Sequence, residues 1–120
     1  MGVVYHANYL VWFEIGRVEL IRQTGLDYKT MEEEEQGGIA VVEATLRYRA
    51  PARYDDELIV RTRLEGVRGP VVKFAYAIHR AADDLLLCEG TTTHVVVDRT
   101  MKKMAMPARF AEVFRLALGK

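Results

Sequence analysis

The sequence predicts an α+β domain in which one long, buried helix lies across the apolar face of a curved antiparallel sheet. Three observations predict it. Near the N-terminus a run is apolar around most of a helical wheel, and after Gly38 the apolar period changes from 3.6 to 2. The segments that follow are joined by short connections rich in turn residues, which favours antiparallel neighbours. The sheet's dry face needs cover and the helix needs burial, so the two are expected to pack together.

The helical run holds Tyr9, Leu10, Val11, Trp12, Phe13, Ile15, Val18, Leu20 and Ile21, with charge only at Glu14, Arg17 and Glu19. A helix apolar nearly all round is expected to be covered on every side. Asn8 is a suitable N-cap, and Gly25 stands just past Arg22 where a left-handed residue ends helices, so the helix should run from about Asn8 to Thr24. Asp27 to Gln36 (DYKTMEEEEQ) reads as a short second helix ended by Gly37 and Gly38, with Glu32 to Glu35 a solvated face.

In the first strand, Ala40 to Arg49, the expected apolar face is Ala40, Val42, Ala44, Leu46 and Tyr48, opposite Glu43, Thr45, Arg47 and Arg49. Leu58 to Glu65 sets Leu58, Val60 and Leu64 against Arg61, Arg63 and Glu65. Val72, Phe74, Tyr76 and Ile78 form the apolar set of a third strand, and Leu85 to Asp98 supplies a fourth. Pro107 then opens a short helix with the stripe Phe110, Val113, Phe114 and Leu118.

At 120 residues, with half of them apolar, the chain is expected to be a single domain over residues 1–120. Lys plus Arg and Asp plus Glu balance at 17 each, so no net field recommends nucleic acid or an anionic membrane as partner. The lone Cys88 and the lack of a secretory leader in MGVVYHANYL lead to the expectation of a cytoplasmic protein. No run reaches the roughly 18 apolar residues of a membrane span.

The stretch from Gly2 to Tyr9 (GVVYHANY) is a glycine-led approach to the start of the first helix. Free N–H groups and the positive dipole end there can stabilise an oxyanion forming on a carbonyl oxygen. The plainer reading has Gly2 making a turn, Asn8 capping and His6 at the surface. Residues alone leave both open.

The run GVVYHANYLVWFE, Gly2 to Glu14, resembles the signature of 4-hydroxybenzoyl-CoA-thioesterase-like hotdog proteins, which include the acyl-CoA thioesterases associated with the Tol-Pal system. There it follows an Asp-x-Asp-x-x motif. The likeness continues through Arg53-Tyr54-Asp55-Asp56, the segment Gly90 to Asp98, and Met106-Pro107. It implies a hotdog fold, a helix wrapped by an antiparallel sheet. It also implies dimers with active sites at the subunit interface, often paired into homotetramers. The implied activity is hydrolysis of acyl-CoA to free acid and CoA, with no metal or redox cofactor. The family's base or nucleophile is an aspartate in an Asp-x-x-Gly element. Aligning its glycine with Gly2 puts that aspartate, and the strand before it, upstream of Met1, so the native chain is expected to begin earlier.

Carried over residue by residue, Tyr5 and His6 line the catalytic end, with the His6 amide as oxyanion donor. The His6 imidazole is further placed to orient water or act as a base. Glu14 is either a substitute base or the partner of Arg17 at i+3. Gly2, Val4 and Asn8 are expected to touch substrate, Asn8 rather as a cap than as a catalyst. Arg68, Lys102 and Lys103 are candidates to meet the phosphates of CoA, with Arg47, Arg49 and Arg53 a further basic group. Val41, Val60 and Thr62 are candidate walls of an acyl slot. His79 and His94 have no other ligand at metal spacing, and Cys88 has no base in view, so it is read as a core residue. The alternatives to an enzyme are a non-catalytic module that binds acyl groups or CoA, and a subunit serving assembly alone.

Overall fold

The computed structural model describes residues 8–24, 29, 33 and 36–118. Helix α1 (Asn8–Arg22) is followed by strands β1 (Gly37–Tyr48), β2 (Leu58–Arg68), β3 (Val71–Arg80) and β4 (Leu86–Asp98), and by helix α2 (Ala108–Leu118). All strand pairs are antiparallel and the sheet order is β1-β4-β3-β2, which leaves β1 and β2 at the edges. The expected α+β arrangement is therefore the one observed. Of the segment read as a second helix, Lys29 and Glu33 have helical backbone and are exposed. Its remaining residues up to Glu35, and Gly25, lie outside the described residues.

The core is the inner face of the central strands. Val72, Phe74 and Ile78 are fully buried and Tyr76 nearly so, as the alternation of β3 predicts. On β4, Cys88, Thr92, His94 and Val96 share that face, and Leu87 is buried too because the β3 register slips between Ile78 and His79. β2 follows its expected alternation, with Leu64 buried and its arginines outside.

β1 departs from expectation. Val41 pairs with His94 and Glu43 with Thr93, so Val42 is an inserted residue with no partner. One extra residue reverses the phase of the strand. Before it, Ile39 and Val41 share the inner side with Val96 and His94; after it, Ala44, Leu46 and Tyr48 do. Ala40 and Val42 are thus not on the apolar face, and Val42 is exposed.

Helix α1 crosses the sheet from one edge to the other. Tyr9 meets Tyr48 on β1 with ring centroids 5.2 Å apart, and Phe13 stacks on Tyr76 of β3 at 4.3 Å with an interplanar angle of 6°. Gly16 abuts Val60 and Thr62 of β2. Phe13 fits because residue 90 lacks a side chain: a Cβ on Gly90 would sit 2.9 Å from the Phe13 ring. The other half of the inner face is covered by α2, whose Phe110, Val113, Phe114 and Ala117 are buried, Phe114 edge-on to Phe74. Leu118, expected in that stripe, is half exposed, and Ala117 takes its place one residue earlier on the helical wheel.

The expectation that α1 is covered on every side does not hold for the single chain. Tyr9, Phe13, Leu20 and Ile21 are buried, whereas Leu10, Val11, Ile15 and Val18 are exposed. A four-stranded sheet covers one side of a helix only, and nothing among the described residues packs on the other. Among the described residues no helix is long and apolar enough to cross a membrane.

Candidate functional site

Four of the residues expected at the site, Gly2, Val4, Tyr5 and His6, lie outside the described residues. The structure does place the start of the helix that follows them. Tyr9, in the first turn of α1, is buried and its hydroxyl accepts a hydrogen bond from the Ala52 amide at 3.3 Å. Trp12 and Tyr48 meet the Tyr9 ring edge to face at 5.1 and 5.2 Å. The start of α1 is thereby held against the connection that leaves β1. The first amides of any helix lack partners within it and carry the positive end of its dipole, so this is where a developing oxyanion would be met.

Asn8 is already inside α1 and exposed, and it makes no capping hydrogen bond among the described residues. Glu14 is exposed. It does not pair with Arg17, because Arg17 turns inward and donates from Nη1 to the Tyr76 hydroxyl at 3.1 Å.

Arg68 ends β2, exposed, beside the Gly69-Pro70 turn. Lys102 and Lys103 are exposed after β4, where Lys103 bridges to Val97. The local backbone there is shaped by Asp98, whose Oδ1 accepts from the Thr100 hydroxyl at 2.6 Å and from the amides of Thr100 and Lys102 at 2.8 and 3.1 Å. These bonds hold the Asp98 carboxyl below its ordinary range. The three basic residues sit at the end of the sheet where β2 and β4 finish, while Ala52 and the start of α1 sit at the end where β1 finishes. Strands of ten or more residues, at about 3.3 Å each, separate the two ends, so one chain does not bring them together. Of the further basic group, Arg49 pairs with Glu89 at 2.6 Å, and this hydrogen bond holds the Glu89 carboxyl low.

Between α1 and the expected slot walls Val60 and Thr62 lies a cleft of about 350 Å³, also lined by Ile15, Gly16 and Leu20. Val41 is exposed on the β1 edge and lies apart from it.

A polar chain in the core escaped the sequence reading. The Tyr76 hydroxyl is bonded to Thr92 Oγ1 at 2.6 Å, and Thr92 Oγ1 to His94 Nε2 at 2.9 Å. His94 is 1% exposed, and its Nδ1 has no hydrogen-bond partner among the described residues. Burial, reinforced by the Arg17 charge, pushes His94 down to about 4, so it is neutral near pH 7. Thr92 and His94 stand four and two residues before Val96 on the inner face, a spacing that marks them as buried despite their polarity.

Burial of Cys88 pushes its thiol up to about 11, as suits a core residue and not a nucleophile. Native protein should therefore leave Cys88 unreacted with an aromatic disulfide reagent and release one equivalent of coloured thiol only on unfolding. Rapid labelling of the native state would show that the strand opens.

Residues 1–114 match the Thioesterase-like superfamily. The chain belongs to that family. A Haemophilus influenzae relative, acyl-CoA thioesterase YbgC, is 34% identical over 114 residues, which span 94% of this chain and 82% of the relative. A solved Thermus thermophilus protein, TT1821, superposes with a TM-score of 0.86 at 32% identity, covering 98% of this chain and 88% of that one. A 4-hydroxybenzoyl-CoA thioesterase crystallised with 4-hydroxybenzoyl-CoA has the same fold, at a TM-score of 0.83 and 20% identity over 93% and 86% of the two chains. The family's hotdog fold, expected from the run Gly2 to Glu14, is the fold of this chain.

Proposed function

We propose that the chain is an acyl-CoA thioesterase that hydrolyses the thioester to free acid and CoA. The observation that carries this reading is the 34% identity to an acyl-CoA thioesterase across nearly the whole chain. The placement of α1, with its start pinned beside the end of β1, supports it. The amides leading into α1, that of His6 among them, meet the thioester oxygen as it takes negative charge. A base removes a proton from the attacking water, the C–S bond breaks, and the proton passes to the departing CoA sulfur. The His6 imidazole is proposed to orient that water or to act as the base. The cleft under Ile15 and Gly16 takes the acyl group.

The site needs a second copy, and we propose a homodimer or a dimer of dimers, working in the cytoplasm, each subunit a single domain. Two β1 edges paired antiparallel about a two-fold axis bring the finish of β2 and β4 in one subunit beside the start of α1 in the other. Arg68, Lys102 and Lys103 then reach the phosphates of a CoA whose thioester lies at the partner's helix. The exposed Val41 and Val42 on β1, with Leu10, Val11 and Ile15 on α1, provide apolar surface for such contact.

Thiol release from short-chain, long-chain and aromatic acyl-CoAs tests the reading, measured on the protein and on its His6→Ala variant. Turnover by the protein, reduced at least about tenfold in the variant, is the expected result. CoA binding without turnover in both identifies a binding module, and the absence of both binding and turnover an assembly subunit; either overturns the enzyme.

A further inference from the structure

Helix α1 is held to the sheet on one side only. Its apolar contacts through Phe13, Leu20 and Ile21 favour burial without fixing the helix along its own axis, because dispersion and hydrophobic contacts are weakly directional. Hydrogen bonds are directional. One of them, from Arg17 to Tyr76, lies between the helix and the middle of the sheet.

Phe13 and Arg17 are four residues apart and occupy successive turns of one helix face. Both meet the same residue of β3. Phe13 stacks on the Tyr76 ring at 4.3 Å, and Arg17 Nη1 donates to its hydroxyl at 3.1 Å. Behind that hydroxyl stand Thr92 at 2.6 Å and, beyond it, His94 at 2.9 Å from Thr92, both on β4. Tyr76 is 3% exposed and Thr92 equally so, so neither hydroxyl has water as an alternative partner. A shift of α1 by one residue would carry Arg17 about 1.5 Å along the axis and take its donor out of line with the hydroxyl.

We propose that Tyr76 is a positioning residue: gripped on its ring by Phe13 and on its hydroxyl by Arg17, it fixes where the start of α1 lies, and Thr92 and His94 hold that hydroxyl in place. This rests on the reading that the start of α1 polarises the thioester. Tyr76 touches no substrate. It acts through the helix, so its loss lowers the rate of the chemical step and leaves the binding of CoA alone.

The test is Tyr76→Phe in the full native chain. The ring stack on Phe13 is retained and only the hydroxyl is removed. The wild-type chain is assayed beside it; if that hydrolyses no acyl-CoA, the thioesterase reading has failed, and the amide-exchange arm still decides the positioning role. The expected result is a kcat lower by about tenfold with KM within about twofold, the signature of a group displaced by a fraction of an ångström. Amide exchange should rise in the first two turns of α1 and stay unchanged in the middle of β3 and β4. Arg17→Met should reproduce both effects, and the double variant should be no worse than either single one. The proposal is overturned if kcat is unaltered while exchange in α1 is unaltered, or if exchange rises alike in every element, the pattern of general destabilisation.

Discussion

Replacing Phe13 by Ala is expected to lower the unfolding free energy by about 3–5 kcal/mol, the upper range for loss of a buried aromatic ring. Phe13 is fully buried, lies flat on Tyr76, and faces Gly90 where any added atom would collide with it. The walls of the hole left behind cannot close easily. One wall is sheet backbone held by its ladder, and the other is a tyrosine whose hydroxyl is bonded to Thr92 and Arg17. Urea unfolding followed by circular dichroism measures the loss. Val11→Ala, on the exposed side of the same helix, provides the comparison and should cost less than about 1 kcal/mol in the single chain. Equal losses at both positions would mean that α1 does not lie on the sheet by the face described. A loss at Val11 that grows as the protein concentration is raised would put a second copy over that side of the helix.

Acid should weaken the fold through His94. In the native state the imidazole titrates at about 4 because it is buried, with Arg17 opposing its charge, whereas the ordinary value is 6.5. Between these values the unfolded chain binds more protons, so stability rises with pH in this window and falls as pH drops from 6.5 toward 4. The slope from this one group is at most about 1.4 kcal/mol for each pH unit, which sums to about 3 kcal/mol once both states are protonated. His94→Gln keeps an amide able to bond Thr92 and removes the titration. Urea midpoints at pH 7 and pH 4.5 should therefore differ more in the wild type than in the variant. The same pH dependence in both would show that His94 is not neutral and buried in the native protein. Among the described residues, Arg17 from α1 is the charged group that faces this chain of bonds, and the neighbours Phe74 and Val72 are apolar.

Much of this architecture can be read along the chain. In β3 the residues Val72, Phe74, Tyr76 and Ile78 alternate with Lys73, Ala75, Ala77 and His79, and each of the first four is buried. The helix Asn8–Arg22 ends within two residues of its expected limit. β1 was harder for a physical reason. Ile39, Ala40, Val41 and Val42 are all apolar, so alternation is silent about phase, and the inserted Val42 reverses it without any glycine or proline to mark the place.

The site divides in the same manner. The run Gly2 to Glu14 pointed to thioester chemistry through resemblance, and the family match over residues 1–114 bears that out. The positioning chain was not legible. Arg17 looks like one more charge on a helix, and its partner Tyr76 is 59 residues away. His94 gave a fainter signal, since its spacing from Val96 puts it on the inner face.

Periodicity reports which side of an element is apolar, because each residue's direction in a helix or strand depends on its own backbone and close neighbours alone. That is enough for the order and kind of the elements and for a sheet with a dry face. Which groups meet across that face depends on where α1 crosses the strands, and a crossing is set by packing between distant segments. Only folding brings Arg17 to the Tyr76 hydroxyl, takes Thr92 and His94 out of water, and leaves Val11 and Ile15 facing outward.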